Sequence, residues 1–214
     1  MTPQEASARA LEICDTAPVI PVLVIDAVEA AADLAAALVA GGLPVLEVTL
    51  RTPAALDAIA AMAKVPGGIV GAGTLLTPED VAAAKAAGAT FGVSPGATER
   101  LMAACEEADL PLLPGAATAT EVMALLERGY TTQKFFPAEA AGGAPALKAI
   151  GAPLPQVAFC PTGGIDLAKA PGYLSAANVR CVGGSWVAPK DKVAKADWAG
   201  IEALAAEAAG LSRA

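Results

Sequence analysis

The sequence predicts an α/β fold: a (β/α)8 TIM barrel formed by one domain over residues 1–214, preceded by an N-terminal helix. Three observations carry this. Short apolar runs rich in β-branched residues begin near Val19, Val45, Ile69, Thr90, Pro111, Thr131, Gln156 and Val179, and successive starts lie 26, 24, 21, 21, 20, 25 and 23 residues apart. Each run is followed by an alanine-rich amphipathic segment, so the repeating unit is one strand and one helix. The runs are apolar on both faces, as parallel strands must be when helices cover the sheet. Eight such units in 214 residues leave room only for short loops. A doubly wound open sheet is the rival architecture. It wants a glycine-rich first turn, and Val24-Ile25-Asp26-Ala27 supplies none.

Taken in order, Thr2 to Asp15 has helical periodicity and precedes the first strand. Gly41-Gly42, Gly88 and Gly129 end the first, third and fifth outer helices, where a left-handed residue closes the last turn. Thr77-Pro78-Glu79 reads as an N-cap followed by proline at the first helical position, and Thr52-Pro53 repeats the device after the second strand. The stretch from Asp197 to Ala214 reads as a last helix.

Hydrophobic residues make up 55% of the chain and the mean hydropathy is +0.54, but most of that excess is alanine and charges interrupt every long apolar run. No membrane span is expected. The start, Met1-Thr2-Pro3-Gln4-Glu5, lacks the basic region and apolar block of a signal peptide, so a cytoplasmic enzyme is expected. A net charge of −8 disfavours nucleic acid as a partner, because phosphate backbones need a basic surface. The cysteines Cys14, Cys105, Cys160 and Cys181 form no close pair along the sequence and read as small buried residues in a reducing compartment. Histidine is absent. That removes Ser–His and Cys–His catalytic pairs and every imidazole metal site, so proton transfer falls to a carboxylate, lysine, tyrosine or water. A metal would need a carboxylate cluster, and none is visible; neither metal nor cofactor is expected.

The chemistry of a barrel lies at the C-terminal ends of its strands. The second run, Val45-Leu46-Glu47-Val48-Thr49-Leu50-Arg51, alternates: Leu46, Val48 and Leu50 suit the helical shell, so Glu47, Thr49 and Arg51 are expected to point inward. The sixth run places Lys134 inside Tyr130-Thr131-Thr132-Gln133-Lys134-Phe135-Phe136-Pro137. Burial strips an ammonium of its hydration and favours the neutral amine, a nucleophile that forms Schiff bases with ketones. Lys134 holds a position in its run parallel to that of Glu47, so the two are expected to approach across the lumen. The third to fifth runs end in Gly71-Ala72-Gly73-Thr74, Ser94-Pro95-Gly96 and Pro114-Gly115, small residues that leave room for a ligand, with a hydroxyl from Thr74. Gly163-Gly164 and Gly183-Gly184-Ser185 follow the seventh and eighth runs, where such barrels hold phosphate on backbone N–H groups. Trp186 is expected to pack in the core or stack on a ligand.

These motifs, with Lys134-Phe135-Phe136-Pro137-Ala138-Glu139 and Phe159-Cys160-Pro161-Thr162-Gly163-Gly164-Ile165, stand in the order and spacing of a known family. From about Pro18 to Lys190 the chain resembles the 2-keto-3-deoxy-6-phosphogluconate (KDPG) aldolases, which include 4-hydroxy-2-oxoglutarate aldolases. The resemblance implies a metal-free class I aldolase of the Entner–Doudoroff pathway and a homotrimer. Its substrates would be a phosphorylated 2-keto-3-deoxy sugar acid and pyruvate. By position Lys134 matches the Schiff-base lysine and Glu47 the general acid–base. Arg51 and Thr74 match the residues that hold the pyruvyl carboxylate. Gly163, Gly164, Gly184 and Ser185 match the phosphate loops, and Pro95, Phe135 and Thr162 the pocket lining. Two close alternatives keep the chemistry and change the substrate: 4-hydroxy-2-oxoglutarate, or the galactonate epimer of the sugar acid.

Overall fold

The sheet closes on itself. In the computed structural model, which describes residues 1–214, β1 (Val19–Leu23) pairs in parallel with β2 (Val45–Thr49), β2 with β3 (Ile69–Gly73), β3 with β4 (Phe91–Val93) and β4 with β5 (Leu112–Leu113). Pro114 has no N–H to give the ladder and interrupts the fifth barrel strand. The strand resumes as β6 (Gly115–Ala116), which pairs with β7 (Thr132–Phe135), and β7 pairs with β8 (Ala158–Pro161). β9 (Val182–Gly184) pairs back onto β1, and bridges Phe159–Val179 and Thr162–Gly183 join it to β8. Every strand therefore has a neighbour on both sides, which a doubly wound open sheet does not allow. Strand starts fall within three residues of those expected from the apolar beat.

Alternation along the strands divides the core in two. Residues facing the helices, among them Leu46, Val48, Val70, Ala72, Leu112, Phe135 and Phe159, pack with Leu34, Leu38, Ile59, Met62, Leu101, Val122 and Leu125 in the larger apolar cluster. Residues facing the lumen, Ile20, Val45, Phe91, Val93, Leu113, Cys160 and Cys181, form a second cluster with Ala10 and Cys14 of α1 (Pro3–Asp15). α1 is thus the barrel floor. It starts at a capping box in which Thr2 and Glu5 satisfy each other's backbone N–H groups, with Pro3 in the first turn. Its buried residues, Ala6, Ser7, Ala10 and Cys14, make one stripe. Ser7 Oγ accepts from the N–H groups of both Thr131 and Thr132 at 2.9 Å, tying the floor to the strand that carries Lys134.

The outer helices follow the expected punctuation with one exception. Thr77 caps α4 (Pro78–Ala86) in a box with Asp80, and Gly42, Gly88 and Gly129 take φ values of 89°, 99° and 115°. Thr52, however, does not cap a helix: α3 (Ala55–Met62) begins three residues later without a side-chain cap. The Thr52 hydroxyl is instead taken by the Ile25 carbonyl at 2.5 Å, which ties the loop after β2 to the loop after β1. The last helix, α10 (Trp198–Ala209), is capped by Asp197, whose carboxylate accepts from Gly200 N–H at 3.0 Å. No helix is long and apolar enough to cross a membrane. All four cysteines are buried, as expected, and three that are far apart in sequence, Cys14, Cys160 and Cys181, meet at the floor.

Candidate active site

β2 and β7 deliver one charged side chain each to the lumen. Val45, Glu47 and Thr49 alternate inward along β2, and Thr132 and Lys134 along β7. Lys134 Nζ lies 3.3 Å from Glu47 Oε1, with Glu47 3% and Lys134 5% exposed. Each ion so buried forfeits several kcal/mol of hydration, so the pair must satisfy itself. It can be written as ammonium and carboxylate or as amine and carboxylic acid; the two forms differ by one proton moved along the contact. That is the inventory a Schiff-base reaction needs: a nucleophilic amine and an acid beside it. The ring of Phe136 lies under Nζ, 5.2 Å from ammonium nitrogen to centroid, within cation–π range.

Gly73 makes room for the carboxylate. A Cβ on Gly73 would sit 2.3 Å from Glu47 Oε1. Gly73→Ala is therefore expected to push Glu47 off Lys134 and to lower kcat by at least about 10²-fold, the worth of a misplaced proton shuttle, while the helical signal of the protein is unchanged.

At the mouth, Arg51 departs from expectation. β2 ends at Thr49, so Arg51 belongs to the following turn and is exposed instead of pointing down the lumen. Its Nε donates to Thr74 Oγ1 at 3.3 Å, leaving the two Nη groups for a ligand carboxylate. Thr74 is β-branched and adopts φ 62°, a left-handed conformation that costs about 1–3 kcal/mol and here sets its hydroxyl beside Arg51. Pro95 is half-buried after β4, its carbonyl pressed against Gly115, the ladder neighbour of Lys134. Phe135 is not at the amine. The alternation that turns Lys134 inward turns Phe135 into the outer apolar cluster, and the aromatic ring at the amine is Phe136.

Across the same rim the two glycine turns lie side by side, joined by the Thr162–Gly183 bridge. Thr162 is buried against Gly183, where a Cβ would come within 2.3 Å of its hydroxyl. Gly163 and Gly164 take φ values of 108° and 76°. The N–H groups of Gly163, Gly164, Ser185 and Trp186 donate to no backbone carbonyl, which leaves them for an anion. Gly184 lies against the half-buried Trp186 ring, and Ser185 is exposed at the turn.

A clasp that the sequence reading did not single out holds the first turn. Glu139 accepts from Tyr173 OH at 2.5 Å and pairs with Lys169 Nζ at 3.1 Å, and Lys169 also donates to the Gly164 carbonyl at 2.9 Å. Tyr173, then Lys169, holds the Glu139 carboxyl below the ordinary carboxylate value of 4.5. Because the folded value lies below the unfolded one, the clasp contributes stability in neutral solution and loses it only as pH falls through that depressed value. The melting temperature gap between the protein and Glu139→Gln should therefore stay constant from neutral pH down into mild acid and close at lower pH. No periodicity marks Lys169 or Tyr173; only Glu139, inside the Lys134 motif, carried a signal.

A cavity of about 580 Å³ opens beside Ser185, between α2 (Ala31–Ala40) and α9 (Lys190–Ala194), and is lined largely by apolar residues including Ile25, Leu34 and Val193. It includes neither Lys134 nor Glu47, and the chemistry of the site lies with that pair.

The sequence model of the family described as KDPG and KHG aldolase matches residues 11–204. The chain belongs to this family. It is 52% identical over 198 residues to the 2-dehydro-3-deoxy-phosphogluconate aldolase of Pseudoalteromonas atlantica, covering 92% of each chain. Among solved structures, it is similar to the KDPG aldolase of Zymomonas mobilis ZM4 crystallised with 3-phosphoglycerate, at a TM-score of 0.92 and 51% identity over 96% of this chain and 98% of that one. It is also similar to the KDPG aldolase of Legionella pneumophila with pyruvate captured as a covalent carbinolamine, at a TM-score of 0.90 and 46% identity over 94% and 98%. As a KDPG and KHG aldolase, the chain is a carbon–carbon lyase, and its lumen offers the amine and acid that such a reaction requires.

Proposed function

We propose that the chain cleaves 2-dehydro-3-deoxy-6-phospho-D-gluconate to pyruvate and D-glyceraldehyde 3-phosphate through a Schiff base on Lys134. The observation that carries this is the buried Lys134–Glu47 pair at 3.3 Å, set between a carboxylate-sized donor group on one side of the mouth and free backbone N–H groups on the other. The amine of Lys134 attacks C2 of the substrate, and the ketone oxygen takes a proton from Glu47, giving a carbinolamine. Loss of water gives the protonated imine. The Glu47 carboxylate then takes the C4 hydroxyl proton through a water. The C3–C4 bond breaks, its electron pair passes into the imine to give an enamine, and C4 leaves as the aldehyde. The enamine takes a proton at C3, and water returns to C2 to release pyruvate and the free amine.

Arg51 and Thr74 hold the carboxylate at C1 in this reading, and the turns at Gly163, Gly164, Gly184 and Ser185 hold the phosphate at C6. Pro95 and Thr162 line the pocket between them. The carbinolamine in the Legionella relative supports the imine route, and 3-phosphoglycerate in the Zymomonas relative supports a site sized for a three-carbon phosphate. Phosphate gripped far from the reacting carbon fixes orientation. Two charged hydrogen bonds at about 1.5–3 kcal/mol each correspond to about 10²-fold or more in kcat/KM. The unphosphorylated 4-hydroxy-2-oxoglutarate is therefore expected to be the poorer substrate by at least that factor, as measured on both compounds side by side. Borohydride added with pyruvate should reduce a covalent adduct onto Lys134, read by peptide mass; label on another lysine would overturn the assignment. The family resemblance further supports a cytoplasmic homotrimer, which sedimentation of the purified chain would test.

A further inference from the structure

Cys14, Cys160 and Cys181 come from three separate elements: the last turn of α1, the middle of β8, and the residue before β9. Their sulfurs lie within 4.8 Å of one another, and all three side chains are at most 2% exposed. The aldol steps above use none of the three sulfurs, although Cys160 is the ladder partner of Lys134. We propose that this floor is a three-coordinate thiolate site for Cu(I).

The donor set selects the cation. A metal–sulfur bond of about 2.3 Å places three sulfurs about 4 Å apart around a trigonal centre, so the spacing here needs only a small contraction. Soft thiolates favour Cu(I) over hard cations such as Mg²⁺ or Ca²⁺. Zn²⁺ wants a fourth ligand from nitrogen, thiolate or carboxylate: the chain has no histidine, the apolar neighbours in the cluster are Ala10, Ile20, Val45, Phe91 and Leu113, and the oxygen beside the sulfurs is the neutral hydroxyl of Thr162, 3.9 Å from Cys160 Sγ. On ligation each thiol gives its proton to solvent, so one Cu⁺ and three thiols form a tris-thiolate complex of charge −2 and release three protons. Cations stand close by. Arg180, next to Cys181, bonds Asp15, next to Cys14, at 2.6 Å, and Arg213 donates to the carbonyls of Arg180 and Asp15 at 3.1 and 3.0 Å. This clasp seals the underside of the site and supplies two guanidinium groups against one carboxylate. The bound ion would staple the floor helix to the last two strands.

Three small residues filling a floor would pack equally well without a metal, so the test is direct. The full chain, as purified and after anaerobic refolding with Cu(I), is titrated against a chromophoric cuprous chelator. One copper per chain should be retained, with three sulfur neighbours by X-ray absorption and a raised melting temperature. Cys14→Ala and Cys181→Ala should lose the copper while keeping helical signal and aldolase activity, and Cys105→Ala should keep it. Failure to retain Cu(I), retention unchanged in Cys14→Ala, or retention of Zn²⁺ with Cu(I) rejected would each overturn the proposal.

Discussion

Lys134→Met is expected to lower turnover by about 10⁴-fold or more and to leave no borohydride-trappable adduct. Met keeps the length and apolar stem of the side chain but offers no atom that can form an imine. The C3–C4 bond then has only a ketone to receive its electrons, a much weaker sink than a protonated imine. The same substitution should also show in stability, because Glu47 loses its only hydrogen-bond partner at 3% exposure. Removing one member of a buried pair costs about 3–5 kcal/mol if the other stays charged. Lys134→Met/Glu47→Gln removes both charges and should recover part of that loss, with no activity regained. Denaturant melts of the two single variants and the double give the coupling energy. Residual cleavage above about one part in 10³ in Lys134→Met would mean that the imine forms elsewhere or not at all.

The barrel was legible because its strands are short, apolar on both faces and regularly spaced, so each start could be found without knowing its neighbours. The approach of Glu47 and Lys134 was legible for a related reason: two charges at inward positions of runs apolar on their other face have nowhere to go but the lumen. Where local signals compete, the reading slipped. Thr52-Pro53 has the letters of a helix start, but the Ile25 carbonyl, brought close only by β1–β2 pairing, captured its hydroxyl. Arg51 keeps the parity of Glu47 and Thr49, but parity stops having meaning where the strand ends at Thr49. Phe135 entered through family resemblance, whereas strict alternation from Lys134 sends it outward and leaves Phe136 at the amine. The floor thiols and the Glu139–Lys169–Tyr173 clasp depend on closure of the barrel, and no spacing along the chain encodes them.

Glu47→Gln is expected to reduce kcat by about 10²–10⁴-fold while changing KM far less, since the substitution preserves size and a hydrogen-bonding group at the 3.3 Å contact but removes the ionisable carboxyl. Three steps draw on that group: protonation of the ketone oxygen as the carbinolamine forms, deprotonation of the C4 hydroxyl, and protonation of the enamine. They can be separated. With pyruvate alone in deuterated water, an aldolase that forms the enamine exchanges the methyl protons of pyruvate, with no aldehyde involved. If Glu47 serves the whole cycle, this exchange slows in Glu47→Gln about as much as cleavage does. If exchange runs at the original rate while cleavage falls, Glu47 acts only at the C4 hydroxyl, and enamine protonation belongs to water. Cleavage and exchange both at full rate would remove Glu47 from catalysis and reduce its contact with Lys134 to a structural pair. Gly73→Ala then becomes the cross-check, because it displaces the same carboxylate without changing its chemistry. Loss of exchange in both variants ties the proton transfer to where this carboxyl group sits as well as to its capacity to ionise.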